Sequence, residues 1–328
     1  MASGLGDRLR ARIRRDGPLP WRDFMDAALY DAGGGFYAAG KHPAGIGTGT
    51  HFATSPTLHP FFSACVAREV AEAWRAAGRP TAWEVVEFGA GTGALARDAM
   101  AELRRLGVPA RWNAIDVRPG PAIKGGRWLD KPPAVYDAVV ANEFLDALPF
   151  DLFEWRDGTW QMLGVGLEGE HFVWQLLGAD DVVADPTART EEGDRCVSMP
   201  SNEPWLASLA KAQVKAAIVI DYGESHPAKD VRAFKGHDFV DPLSEPGSVD
   251  LTADVDFAEL AEQAQRHGFA TKLETQEAFL LRHNVFDVLN KIDRTTREGA
   301  SAYLRLRQLL IPTGFGAAFK VARLTRRA

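Results

Sequence analysis

Cysteine is nearly absent from this chain: Cys65 and Cys196 are its only two, and they lie far apart. They form no closely spaced Cys or Cys/His group, which excludes a disulfide framework and the common structural zinc sites and fits a reducing, cytoplasmic setting. His226, His237 and His283 are also scattered without ligand spacing, so no metal site is expected. Long apolar runs are missing too. No stretch reaches the roughly 18–20 residues that a membrane-spanning helix needs, so no membrane role is expected. An excess of positive charge is the third absence. With 38 Lys and Arg against 44 Asp and Glu, the formal net charge is −6, and no overall field draws nucleic acid.

What is present can bury a full core. The chain has 328 residues, 46% of them hydrophobic and 25% charged, enough for one large domain with an insertion or for two modest ones. The sharpest local signal is Trp83-Glu84-Val85-Val86-Glu87-Phe88-Gly89-Ala90-Gly91-Thr92-Gly93-Ala94-Leu95. An apolar run feeds into three glycines on alternate positions, and a helical pattern follows at once. Glycine lets the backbone turn sharply and lets a ligand approach the main chain. A strand that ends in such a turn and opens a helix leaves amide N–H groups facing whatever binds there. Written as G-x-G-x-x-A the turn suits a dinucleotide; written as G-x-G-x-G it suits S-adenosylmethionine. The turn alone leaves both open.

Taken in order, Leu5, Leu9 and Ile13 space a short amphipathic helix whose other face carries Arg8, Arg10, Arg12, Arg14 and Arg15. Trp21, Phe24, Met25, Ala28 and Leu29 mark one buried face of a second helix. Residues 40–60 show no periodicity, and a loop of that length in a compact domain usually serves a site. Pro60 opens a helix that Gly78 ends. Residues 111–117 read as the second strand, closing on Asp116, a carboxylate placed where nucleoside-binding folds hold ribose hydroxyls. Tyr136 to Ala141 reads as the third strand, followed by Asn142-Glu143-Phe144-Leu145-Asp146-Ala147-Leu148-Pro149. Polar groups at the carboxyl end of a buried parallel strand are expected to face a ligand or each other. Short segments between about 151 and 197 alternate with Gly-containing turns and predict an inserted antiparallel meander. A helix over 204–212 and a strand over 216–220 follow, the strand ending in Asp221-Tyr222-Gly223. Residues 225–250 read as irregular. Helices are expected from Asp256 to Gly268 and over 296–310, and a closing strand over 315–324.

These motifs together give the chain a family likeness. Phe24-Met25 with Ala28-Leu29-Tyr30 and Gly35-Phe36-Tyr37, then Phe52-Ala53-Thr54-Ser55-Pro56, Glu87 to Gly93, Ala141 to Pro149, Asp221-Tyr222-Gly223, and Asp250 to Phe257 carry it. Phe319-Lys320-Val321 fits as well. The chain resembles the MidA-like S-adenosylmethionine-dependent methyltransferases, a family that includes a mitochondrial complex I assembly factor methylating a protein arginine. The resemblance implies an α/β class I methyltransferase: a Rossmann-like seven-stranded sheet with an antiparallel last hairpin. It further implies an N-terminal helical segment and covering loop over residues 1–80, and a core over 81–328 with a β-rich insertion at about 151–200. Its cofactor would be S-adenosyl-L-methionine. Gly89, Gly91 and Gly93 would hold the methionine end, with Glu87, Ala90 and Thr92 in the same stretch, and Asp116 the ribose. Asn142 and Glu143 would border the transferred methyl group.

For turnover, Glu143 is the first candidate to orient an acceptor and take its proton, with Asn142, Asp146 and Asp221 behind it. No metal is implied. The expected acceptor is a protein side chain, arginine by resemblance. Two departures favour a small molecule instead: Thr50-His51-Phe52 stands where the family has Gly-Asp-Phe, and Pro56-Thr57 where it has Pro-Glu. A non-catalytic assembly or scaffolding factor is the remaining alternative. The N-terminal aromatics are read as a lid or as a homodimer surface.

Overall fold

The computed structural model describes residues 4–38, 54–179, 190–236 and 238–327. Most of the 40–60 loop, including Thr50 and His51, and also His237, therefore lie outside the described residues. The chain divides into two compact units: Met1–Ala44 with Asp146–Pro204 and Gly223–Leu260, and Gly45–Leu145 with Trp205–Tyr222 and Ala261–Ala328.

The second unit is built on a sheet of β1 (Trp83–Phe88), β2 (Ala110–Ile115), β3 (Gly126–Trp128), β4 (Ala138–Asn142), β5 (Ala216–Glu224), β6 (Phe269–Thr275) and β7 (Phe319–Arg326). Their spatial order is β6-β7-β5-β4-β1-β2-β3. β7 is antiparallel to both neighbours, and the remaining pairs are parallel. An eighth strand of two residues, Val255–Asp256, pairs with Gly223–Glu224, so the sheet is eight-stranded where seven strands were expected. β1 and β4 are buried on both faces almost throughout, as strands flanked by helices on each side must be. On one face the helices Pro60–Ala76 and Ala94–Arg105 bring Phe62, Val66, Val70, Leu95, Ala99 and Leu103 against Val85, Trp112 and Val140. On the other, Phe88 meets Trp205 of the helix Asn202–Lys211 at 6.0 Å between ring centres.

One buried charge cluster ties the helical face to the antiparallel edge. Glu69 is almost fully buried and accepts from Arg282 at 2.7 Å and His283 Nε2 at 2.8 Å. Arg323 reaches its other oxygen at 3.4 Å. Burial works to raise its pKa, but the hydrogen bonds from His283 and Arg282 outweigh it and hold the carboxyl at about 2. Because that lies below the ordinary 4.5, the stabilisation is present above pH 4.5 and is lost as pH falls through about 2. Glu69→Ala, which strands two guanidinium groups, should cost on the order of 3 kcal/mol in urea unfolding. An unchanged midpoint would show that the cluster adds nothing.

In the first unit, Leu5, Leu9 and Ile13 of the helix Leu5–Asp16 are buried, as are Trp21, Phe24, Met25, Ala28 and Leu29 of Trp21–Tyr30. The meander contributes strands Asp151–Arg156, Thr159–Glu168, His171–Ala179 and Arg195–Ser198, to which Leu19–Pro20 adds an edge. Its aromatics share a core with the helices: Trp174 lies 5.0 Å from Trp21, and Phe172 lies 5.3 Å from Phe24.

Three local expectations are corrected. Residues 225–250 are not wholly irregular, because Arg232–Lys235 pairs with Asp238–Phe239 and with Asp250–Thr252. Strands of two to four residues are too short to show a period of two. The closing strand starts at Phe319, preceded by a single helical turn over Phe315–Ala318. A short helix, Ser55–Leu58, precedes the one opened by Pro60.

Candidate active site

The carboxyl ends of β1 and β4 and the turn Gly89–Gly93 frame a cleft in the second unit. It is lined by Thr54, Pro56, Thr57, Glu87, Gly89, Ala90, Gly91, Thr92, Ala94, Leu95, Asn142 and Glu143. It is open on one side, and about 410 Å³ of space, open solvent included, lies within it.

The three alternate glycines all have positive φ, 66° at Gly89, 54° at Gly91 and 69° at Gly93, a region that only glycine enters at no cost. Their reasons differ. A Cβ on Gly89 would come 3.1 Å from the Phe144 ring, and one on Gly93 would come 3.1 Å from Trp128. Gly93 thus serves the packing beneath the turn, and Gly91 the cleft itself. The helix Ala94–Arg105 starts at Gly93 without a side-chain cap, which leaves N–H groups of its first turn to bind an anion. Ala94 and Leu95, at that terminus, line the cleft.

Two carboxyl groups flank the turn. Asp116 Oδ2 accepts from Gly91 N–H at 2.8 Å, so the acid following β2 braces the middle glycine. Burial raises its pKa, against the pull of hydrogen bonds from Gly91 and Arg118. Glu87 is 2% exposed; Trp112 Nε1 donates to its Oε2 at 2.7 Å. Burial pushes the Glu87 carboxyl up to about 8, and the nearby Asp116 charge adds to this. The folded chain then holds this proton more tightly than the unfolded one. Stability from this group is greatest below pH 4.5 and falls as pH rises through about 8. Glu87→Gln should flatten that slope in denaturation series run from pH 5 to 9; an unaltered slope would place the effect elsewhere.

Asn142 is the last residue of β4 and is 9% exposed. Its Nδ2 donates to Glu143 Oε1 at 3.0 Å. Its Oδ1 has no hydrogen-bond partner among the described residues, and a buried acceptor left so is costly unless a ligand supplies a donor. Glu143 stands at φ 52°, a left-handed conformation that costs a non-glycine residue on the order of 1–3 kcal/mol and gathers at functional sites.

The structure therefore brings Glu87, Gly89, Ala90, Gly91, Thr92, Asn142 and Glu143 to one cleft, with Asp116 joined to it through Gly91. Asp221 is fully buried, and its Oδ2 accepts from Phe144 N–H at 3.1 Å and Leu145 N–H at 3.0 Å. Asp146 belongs to the first unit, where its carbonyl accepts from Ala253 N–H at 3.2 Å. Sequence reasoning did not single out Thr54, Ala94 or Leu95 as site residues. Thr54 is the N-cap of Ser55–Leu58: Thr57 Oγ1 donates to its carbonyl at 2.9 Å and accepts from its N–H at 3.2 Å. A hydroxyl three residues before another, ahead of a proline-opened helix, was the available signal.

The chain is similar to known proteins over most of its length. Residues 65–119 and 121–275 match a family model described as "Putative S-adenosyl-L-methionine-dependent methyltransferase". The chain is 28% identical to a Drosophila melanogaster protein named protein arginine methyltransferase NDUFAF7 homolog, mitochondrial, over 80% of this chain and 70% of that one. It is 26% identical to the human protein arginine methyltransferase NDUFAF7, mitochondrial, over 78% and 68%. The crystal structure of a COG1565 superfamily protein from Burkholderia thailandensis bound to S-adenosyl-homocysteine superposes with a TM-score of 0.84. That match has 27% identity and covers 98% of this chain and 92% of the other. The residues here fit such a ligand, with left-handed glycines lining the cleft at Gly89 and Gly91, an uncapped helix terminus for a carboxylate, and an orphaned acceptor on Asn142.

Proposed function

The chain belongs to the S-adenosyl-L-methionine-dependent methyltransferase family, and on that premise we propose that it methylates an arginine side chain of a protein. When bound, S-adenosylmethionine supplies an electrophilic methyl group on a sulfonium sulfur. Everything else falls to the chain's own residues. Gly89, Gly91 and the first turn of Ala94–Arg105, with Glu87 in the same lining, would hold the methionine end, and Asp116, which braces the turn, would serve the ribose. Alignment of the acceptor with the methyl carbon then supplies much of the acceleration.

The observation that carries the acceptor assignment is the pairing of an unsatisfied Asn142 Oδ1 with the Glu143 carboxylate in the same cleft. A guanidinium offers N–H donors in a planar fork, which two adjacent acceptors recognise. Glu143 Oε1 accepts the proton that the substrate nitrogen gives up, and Asn142 holds the carboxylate in place through its Nδ2. The proteins named as arginine methyltransferases among the relatives support this reading. We also retain cytoplasmic placement, in line with two buried free cysteines.

One observation favours a small-molecule acceptor. The wall formed by Thr54 and Thr57 is uncharged, and the Thr57 hydroxyl is turned to Thr54. Labelled methyl transfer into a size-fractionated lysate decides between them. Label in the protein fraction, released as methylarginine on hydrolysis, is the expected result. Label only in the low-mass fraction would overturn the arginine assignment. Label in neither, together with tight S-adenosyl-homocysteine binding, would favour a non-catalytic assembly role.

A further inference from the structure

We propose that Asp221 is a positioning residue for the transfer, holding Glu143 in its left-handed conformation from behind the cleft. The proposal rests on the reading of Glu143 as the group beside the acceptor. β4 and β5 are parallel neighbours with Asn142 opposite Ile220. One residue further on, Glu143 N–H donates to Ile220 C=O at 2.8 Å, the last rung before the chain turns out of the sheet. At that turn φ is 52°, and Glu143 has no glycine's freedom to adopt it. Something must secure the residues that follow.

Asp221 does so. It comes directly after Ile220 on β5, is fully buried, and lies outside the lining of the cleft. One carboxylate oxygen, Oδ2, receives the N–H groups of both Phe144 and Leu145, while Oδ1 accepts from Tyr222 N–H at 3.1 Å. A carboxyl oxygen that gathers successive backbone N–H donors fixes two residues of the loop at once. Glu143 is thus held on both sides, by Ile220 before the turn and by Asp221 after it. Phe144 carries the restraint on to the glycine turn, because its ring packs against the Gly89 backbone and lies 5.6 Å from Phe88 and 5.9 Å from Trp205. The same carboxylate therefore sets the Glu143 side chain and the seat of the cofactor relative to each other. From outside the lining of the cleft, Asp221 acts through the loop it secures.

The test compares Asp221→Ala with Asp221→Asn, which keeps one acceptor oxygen. Amide hydrogen exchange at Phe144 and Leu145 should be at least about tenfold faster in Asp221→Ala than in the parent, with Asp221→Asn between them. S-adenosyl-homocysteine should bind both variants within about threefold of the parent in calorimetry. With a Gly-Arg-Gly repeat peptide as acceptor, kcat should fall by about tenfold or more in Asp221→Ala while KM stays within about threefold. Asp221→Asn should recover part of the loss and keep the parent's pH profile. Unchanged amide exchange in Asp221→Ala overturns the proposal whatever the acceptor. An Asp221→Asn variant that loses the acid limb of the pH profile overturns it as well, because Asp221 would then itself take the proton. A parent enzyme that binds S-adenosyl-homocysteine yet leaves the peptide unmethylated defeats the arginine reading, while the exchange measurement still decides the clamp.

Discussion

Replacing Glu143 with glutamine lowers kcat by about 10²–10⁴-fold, the range expected when a positioned proton acceptor is removed. The affinity for S-adenosyl-homocysteine, read by calorimetry, stays within about threefold. Glutamine is nearly isosteric and keeps an oxygen for the Asn142 Nδ2 bond, so the loop geometry survives and only the charge and basicity are lost. That makes the substitution more informative than alanine, which would also release Asn142. If affinity and turnover fall together, Glu143 belongs to the cofactor's seat rather than to the proton's route. If neither changes, the carboxylate has no part in the reaction.

Gly91→Val abolishes cofactor binding, with an expected loss beyond about 100-fold in affinity, or some 3 kcal/mol. Two effects add. Gly91 holds φ at 54°, which a β-branched residue adopts only as an outlier. The new side chain also stands on a residue that lines the cleft, where a ligand must approach the backbone. The Gly91 N–H is meanwhile committed to Asp116, so a shifted backbone loses that brace as well. A thermal unfolding scan separates the two contributions: lost binding with a nearly unchanged midpoint assigns the effect to the cleft. Binding within about tenfold of the parent would show that the cofactor sits elsewhere.

The helices were legible in the sequence because their apolar positions recur every three to four residues. Leu5, Leu9 and Ile13, and Trp21 through Leu29, fell on buried faces as the spacing required. The glycine turn was legible for a related reason, since three alternate glycines after an apolar strand have few other uses. The strands of two to four residues between 232 and 252 were not, because no period can be read from so few residues. The shared aromatic core of meander and N-terminal helices was equally hidden, because packing between distant segments leaves no local pattern.

Among the site residues the division is finer. Strand-turn-helix order and the residues Glu87 to Gly93 by themselves pointed to an α/β fold with a nucleoside cofactor, and the family resemblance carried by stretches such as Asn142 to Pro149 implied that this cofactor is a methyl donor. Backbone freedom at glycine and the placement of polar groups at strand ends are local properties, written in the order of residues. Which of Asn142, Glu143, Asp146 and Asp221 share a cleft was decided only by the tertiary structure. Asp221 looks like any strand-end acid until β5 is set beside β4. Only then does its carboxylate reach the amides of Phe144 and Leu145. The reason is that hydrogen bonds between distant segments depend on strand register, and one residue of register turns a side chain from one face of the sheet to the other.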